Sequence, residues 1–175
     1  MEGERLREVM RGFPQGVVVV TAQPEMRSAD DPQHAEPRGI TVSSFLSVSL
    51  SPSLILISIV RSTQAHAAIE RAGGFAVSFL AEDQRALSDH FARGGLSSRE
   101  QFQDLDLADT SARHPVLASA LAYLDCRVVD TLPQADHSLF IGAVQSGAVL
   151  RPEARPLIFY SRGYWSVGDR VHERP

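Results

Sequence analysis

Lysine and asparagine are both absent from this 175-residue chain, and all 17 of its basic residues are arginine. The first absence removes lysine Schiff-base chemistry and the Walker-type phosphate lysine, and the second removes N-linked glycosylation. A single cysteine, Cys126, can form neither an internal disulfide nor a cysteine metal site. The longest apolar stretches, such as Val17–Ala22 and Leu54–Val60, fall far short of the roughly 20 residues that a membrane helix needs. The opening MEGERLREVMRGF is charged and has no apolar h-region, which argues against a signal peptide. The expected setting is therefore a reducing cytoplasm, with no membrane partner. Positive charge is scarce as well: 17 basic residues face 21 acidic ones, with the signs interspersed, which argues against a nucleic-acid partner. No G-x-G-x-x-G, G-x-S-x-G or H-x-x-x-H motif occurs, so a Rossmann site, a hydrolase elbow and a helical metal site are not indicated. Ser88, Asp89 and His90 are adjacent, but sequence neighbours on a helix do not face one another.

What is present suits one ordinary globular domain spanning residues 1–175, with 43% apolar and 22% charged residues. Gly3–Arg11 reads as a short helix with Leu6, Val9 and Met10 on one side. The β-branched run Gly16–Ala22 reads as a buried strand. Pro24–Pro37, polar and rich in proline, reads as a mobile loop. Strands follow at Gly39–Val48 and Leu54–Val60. Thr63 is placed to cap a helix over Gln64–Arg71 that Gly73-Gly74 closes. A strand at Phe75–Leu80 precedes a helix at Ala81–Arg93, with Glu82 and Asp83 in its first turn. Gly95–Pro115 reads as irregular. Leu121–Thr131 alternates with the period of a strand, with Cys126 on the apolar side. His137–Leu150 reads as a long strand with Gly142 and Gly147 as bulge points. Pro156–Tyr160 and Tyr164–Val167 read as a hairpin about Ser161–Gly163. Some seven strands with few helices and no strand-helix alternation predict a mainly β fold, an antiparallel barrel with peripheral helices.

The densest chemical signal is hydroxyl. Thr41, Ser43, Ser44, Ser47, Ser49, Ser51, Ser53, Ser58, Ser62 and Thr63 are interleaved with apolar residues, and Arg38 and Arg61 flank or punctuate the stretch. Small hydroxyls, backbone amides, an arginine and a helix start at Thr63 can hold a phosphorylated, flat, polar-edged ligand without a lysine. Serines that merely fill strand positions and cap turns produce the same pattern, and composition does not separate the two readings.

Seven segments stand out in order and spacing: Phe13-Pro-x-Gly16-Val-x-Val-Val-Thr21, Gly39-Ile-Thr-Val-Ser-Ser-Phe45, Ser47-Val-Ser-Leu-Ser-Pro52, Gly74-Phe-Ala-Val-Ser-Phe-Leu80, His90-Phe-Ala92, Ala135-Asp-His137 with Leu139-Phe-x-Gly142, and Pro156-Leu-x-Phe-Tyr160-x-Arg-Gly-Tyr164. They span about residues 8–169, and together they resemble the flavin reductase-like, FMN-binding split-barrel family. The resemblance implies a six-stranded Greek-key split barrel, usually a homodimer. It also implies an NAD(P)H:flavin oxidoreductase that reduces FMN or FAD with NADH or NADPH and supplies reduced flavin to a partner monooxygenase.

By position, Thr41, Ser43, Ser44 and Phe45 would line the isoalloxazine edge. Ser47, Val48 and Ser49 would follow the ribityl chain. Ser58, Arg61, Ser62 and Thr63 would approach the phosphate, with His90, Phe91 and Arg93 from the second helix closing the other side. Tyr160, Arg162 and Tyr164 would complete the rim, and His137 would meet the nicotinamide nucleotide. Hydride transfer from nicotinamide C4 to flavin N5 asks for positioning rather than acid–base catalysis, so no catalytic residue is assigned. The chain departs from the family pattern at Ser78, where asparagine is usual, and at Ala135, where glycine is usual. A non-catalytic flavin- or haem-binding barrel, a carrier or sensor, is the competing expectation, and an oxidase of phosphorylated pyridoxine-type substrates is a third.

Overall fold

The computed structural model describes residues 3–25 and 35–168. The chain runs α1 (Gly3–Met10), β1 (Gln15–Gly16), β2 (Val18–Ala22), β3 (Arg38–Val42), β4 (Phe45–Leu50), β5 (Ser53–Val60), α2 (Gln64–Ala72) and β6 (Gly74–Phe79). It continues with α3 (Arg85–Phe91), α4 (Ser98–Phe102), β7 (Ala122–Gln134), β8 (His137–Val149), β9 (Leu157–Tyr160) and β10 (Gly163–Ser166). Most of the expected Pro24–Pro37 loop lies outside the described residues, as do His34 and His172. No helix among the described residues is long and apolar enough to cross a membrane.

Seven strands hydrogen-bond in the order β3-β2-β6-β7-β8-β5-β4, and β1, β9 and β10 form a small separate sheet. The two ends of the long row, β3 and β4, are consecutive in the chain and only Ser43 and Ser44 separate them. One bent strand thus supplies both edges, and the sheet closes on itself as a barrel. Counted that way the barrel has six strands. At the bend the Ser58 amide donates to the Ser44 carbonyl at 3.2 Å.

Hydrophobic pattern explains why β2 is buried throughout. Val18, Val20 and Ala22 face the barrel core with Ile55, Ile57, Ile59, Phe75 and Phe140, into which α2 sends Ala68 and Ile69. Val19 points the other way, into a cluster with Leu80, Phe91 and Leu117. A strand covered on both faces needs no alternation, and its β-branched run is the signature of that state. Cys126 lies in the barrel core, and burial pushes its thiol up to about 12.

Three local expectations are corrected. The helix at Ala81–Arg93 begins only at Arg85. Glu82 and Asp83 do not form its first turn, because the Glu82 amide donates to the Arg155 carbonyl and Asp83 takes a two-pronged bond from Arg151 at 2.8 and 3.0 Å. Gly142 and Gly147 are not the bulges. The register slips at Gln145 and Val129 instead, and the glycines allow close packing: a Cβ on Gly142 would sit 2.8 Å from the Phe75 ring and 2.9 Å from Cys126 Cβ. Finally, Gly95–Pro115 is not wholly irregular. It contains α4, opened by a capping box in which Ser97 and Glu100 exchange hydrogen bonds. The predicted Thr63 cap and Gly73 stop of α2 are present, with Gly73 at φ 64°.

Candidate functional site

A cleft of about 380 Å³ opens between the start of α2, the start of β3 and the stretch that follows α3. β5 ends at Val60, and Arg61 and Ser62 turn the chain into α2. Thr63 takes extended dihedrals there, its Oγ1 accepting from the His66 amide at 3.2 Å and donating to the Val60 carbonyl at 2.8 Å. Gln64 and Ala65 are the first helical residues, and amides at those positions have no acceptor within the helix. Both line the cleft, together with Ser62, Thr63, Arg38, Phe91 and Arg93. The lining carries two arginines and no carboxylate. Helix-start amides, the Ser62 hydroxyl and two guanidinium groups on one concavity make a binding place for an anion with several oxygen acceptors.

The structure therefore brings Arg38, Ser62, Thr63, Phe91 and Arg93 together, as five of the candidate residues. Phe91 shapes the wall rather than offering an open face: its ring is buried, packed edge-on to Phe102 at 5.5 Å and pressed against Gly39. His90 is turned the other way, its Nε2 donating to the Gln101 carbonyl at 3.0 Å.

Thr41, Ser43 and Ser44 bond within the protein. Thr41 Oγ1 donates to the Ser88 carbonyl at 2.8 Å, tying β3 to α3, and Ser44 Oγ donates to the Ser58 carbonyl at 2.7 Å across the barrel bend. Ser43 Oγ donates to Gln15 Oε1 at 3.0 Å. Ser43 and Phe45 line a second, mostly apolar cleft of about 300 Å³ with Phe13, Phe79 and Leu121, where Phe45 meets Phe79 edge-on at 5.0 Å. Ser47, Val48 and Ser49 run along β4, with Ser47 and Val48 exposed and Ser49 Oγ accepting from the Ser51 amide at 3.2 Å.

His137 stands at the tip of the β7–β8 hairpin, paired in register with Val60. The Arg61 amide donates to the Asp136 carbonyl at 2.9 Å, so this tip adjoins the turn that leads to Ser62. His137 Nδ1 lies 2.7 Å from Asp136 Oδ1, and that hydrogen bond holds the Asp136 carboxyl below the usual range. Ala135 adopts φ 51°, the left-handed conformation that glycine takes without strain.

Arg162 and Tyr164 belong to a third cleft of about 700 Å³, shared with Arg85, Asp89, Phe159 and Trp165. The Tyr164 hydroxyl bonds Ser88 Oγ and Asp89 Oδ1, each at 2.9 Å; burial, then Asp89, pushes the phenol above its ordinary value. Tyr160 stays outside this cleft, edge-on to Trp165 at 6.0 Å. Ser78, the departure from asparagine, is fully buried, and its Oγ accepts from the Leu117 amide at 3.2 Å.

Two residues went unnoticed in the sequence. Gln101 lines the α2 cleft from α4 and grips Gly39, and Gln64 contributes through its backbone. Neither carries a signal of its own in the one-dimensional chain. Thr63 did, through its capping pattern, and Gln64 is reached by counting one residue from that cap.

The flavin reductase like domain model matches residues 10–168. The reductase subunit of a flavin-dependent monooxygenase from Rhodococcus jostii is 32% identical over 167 residues, covering 95% of this chain and 79% of that protein. The reductase component of 4-hydroxyphenylacetate 3-monooxygenase from Thermus thermophilus is 32% identical over 164 residues, covering 92% of this chain and 94% of its own. Among solved structures, the NADH:FAD oxidoreductase of Streptomyces globisporus, in complex with NAD and FAD fragments, superposes with a TM-score of 0.83 at 30% identity. That alignment covers 97% of this chain and 94% of the other. With most of its length matched in sequence and in fold, this chain belongs to the flavin reductase-like domain family.

Proposed function

We propose that the protein is an NAD(P)H:flavin oxidoreductase that reduces FMN or FAD and passes the reduced flavin to a separate monooxygenase component. The observation that carries this reading is the α2 cleft: Arg38, Arg93, Ser62, Thr63 and the first α2 amides converge on one concavity free of carboxylates. That donor set fits the phosphate of a flavin nucleotide. A flavin held there supplies hydride acceptance from a nicotinamide nucleotide and later release of the reducing equivalents.

The chain's own contribution is binding and orientation. The two guanidinium groups neutralise phosphate charge, and their planar forks match its oxygens. The Thr63 hydroxyl is committed to the helix cap, so it serves by fixing the direction of the Gln64 and Ala65 amides. Thr41 bridges β3, which carries Arg38, to α3, which leads to Arg93. At the hairpin tip, Asp136 orients His137 through Nδ1, leaving Nε2 as the ring atom available to a nicotinamide nucleotide. None of these groups must give or take a proton during hydride transfer.

The reading includes a homodimer. Leu46, Val48 and Leu50 on β4 are 57%, 47% and 87% exposed on and around a bulge at Val48, apolar surface suited to a second copy of the chain.

The test is oxidation of NADH and of NADPH at 340 nm, with and without FMN or FAD. The expected result is saturable oxidation that requires added flavin. Tight flavin binding with no turnover for any of the four pairs would replace the enzyme with a carrier.

A further inference from the structure

Between α4 and the start of β3 lies a clasp that hydride transfer does not call for. Three consecutive residues are held by one short stretch. Ser98 Oγ donates to the Pro37 carbonyl at 2.8 Å, and Arg38 Nη1 donates to the Leu96 carbonyl at 3.4 Å. The Gly39 amide donates to Gln101 Oε1 while Gln101 Nε2 donates to the Gly39 carbonyl, both at 3.1 Å.

β3 pairs with β2 along one side, so at Gly39 the Gln101 amide takes the place of a neighbouring strand on the other. Only a carboxamide offers donor and acceptor in that spacing; a carboxylate has no donor and an ammonium no acceptor. Gln101 is buried, its carbonyl receives His90 Nε2, and α4 is anchored by the Ser97–Glu100 box. Arg38 follows from this. Its side chain is only 16% exposed, with exposed Glu36 as its other partner at 3.4 Å. Its guanidinium is thus held at the cleft before any ligand arrives, and a side chain ordered in advance loses less entropy on binding.

We propose that Gln101 is a positioning residue: it fixes the start of β3 so that Arg38 is set for the ligand's phosphate, and it thereby makes the protein prefer phosphorylated over unphosphorylated flavin. The proposal rests on the reading of the α2 cleft as the flavin-phosphate site.

The test measures dissociation constants of FMN and of riboflavin, which shares ring and ribityl chain but lacks the phosphate. The proteins are the unaltered chain, Gln101→Leu, the isosteric but uncharged Gln101→Met, Arg38→Met and the double variant Gln101→Leu/Arg38→Met. Gln101→Leu is expected to weaken FMN about tenfold, the worth of one charge-assisted contact, and to leave riboflavin within about twofold. Gln101→Met should do the same, and it stands in should the leucine variant fail to fold. The double variant should be no weaker than Arg38→Met, because Gln101 acts through Arg38. Equal loss of FMN and riboflavin, or additive losses in the double variant, would overturn the proposal while leaving the cleft in place. Should Arg38→Met weaken both flavins alike, the phosphate reading itself would fall and take the proposal with it.

Discussion

Replacing Gly39 by alanine probes the joint between β3 and α3 that sets the cleft wall. A Cβ built there lies 2.5 and 2.6 Å from Phe91 Cε1 and Cδ1, roughly 1 Å inside ordinary carbon contact. The ring cannot swing away. It is 1% exposed, pinned by Phe102 at 5.5 Å and crossed edge-on by His90 at 5.2 Å. Overpacking of a fixed core costs about 1–3 kcal/mol. Loss of glycine entropy in the unfolded chain offsets about 0.4–1 kcal/mol of that. The expected net destabilisation is about 1–2 kcal/mol, or a fall in Tm of about 2–8 °C for a chain of this size. Thermal and urea unfolding followed by circular dichroism measure it. The companion Gly39→Ala/Phe91→Leu should be more stable than the sum of its single changes, by about 1 kcal/mol, since the smaller side chain vacates the colliding volume. A Gly39→Ala protein as stable as the parent, or strictly additive singles, would refute the packing argument.

Ala135→Gly should raise stability by about 0.5–1 kcal/mol, because relief of the left-handed strain at φ 51° outweighs the added unfolded-state entropy; an unchanged or lower melting point counts against the strain. His114 gives a pH prediction. It is buried, its Nδ1 accepts from the Gln23 amide at 3.2 Å, and burial lowers its affinity for a proton, with Arg113 adding to the effect and Asp125 opposing it. The folded form therefore favours the neutral ring. Its contribution is complete above the unfolded value near 6.5 and is lost as pH falls from there through the folded value. His114→Gln should flatten the fall in urea midpoint below about pH 6.5; parallel curves for parent and variant would remove His114 as the cause.

The barrel was legible because its signals are local. A β-branched run marked β2, Thr63 and Gly73 marked the ends of α2, and Ser161–Gly163 marked the last hairpin, whose Ser161 and Arg162 both take positive φ. What escaped depends on partners far along the chain. Asp83 looks like a helix-start acid until Arg151 claims it from 68 residues away. Gln101 reads as one polar residue among many until the fold sets it 62 residues back against Gly39. The hydroxyl-rich stretch divides in the same way. Thr41, Ser43, Ser44 and Thr63 spend their protons on Ser88, Gln15, Ser58 and Val60, whereas Ser62 lines the cleft. Composition records hydroxyls, but only tertiary structure decides which remain for a ligand. Arg38 and Arg93, 55 residues apart in sequence, meet on one cleft for the same reason.

Arg93→Met, assayed with FMN and with riboflavin as the flavin substrate of NADH oxidation, tests the central claim most directly. Arg93 is exposed at the cleft and lies outside the buried core, so its removal reports on the ligand rather than on folding. The account predicts that KM for FMN rises about tenfold, that KM for riboflavin stays put, and that kcat is unchanged for both. An FMN KM equal to that of the parent protein, or one that rises in step with riboflavin, would contradict the placement of the flavin phosphate between Arg38, Arg93 and the start of α2.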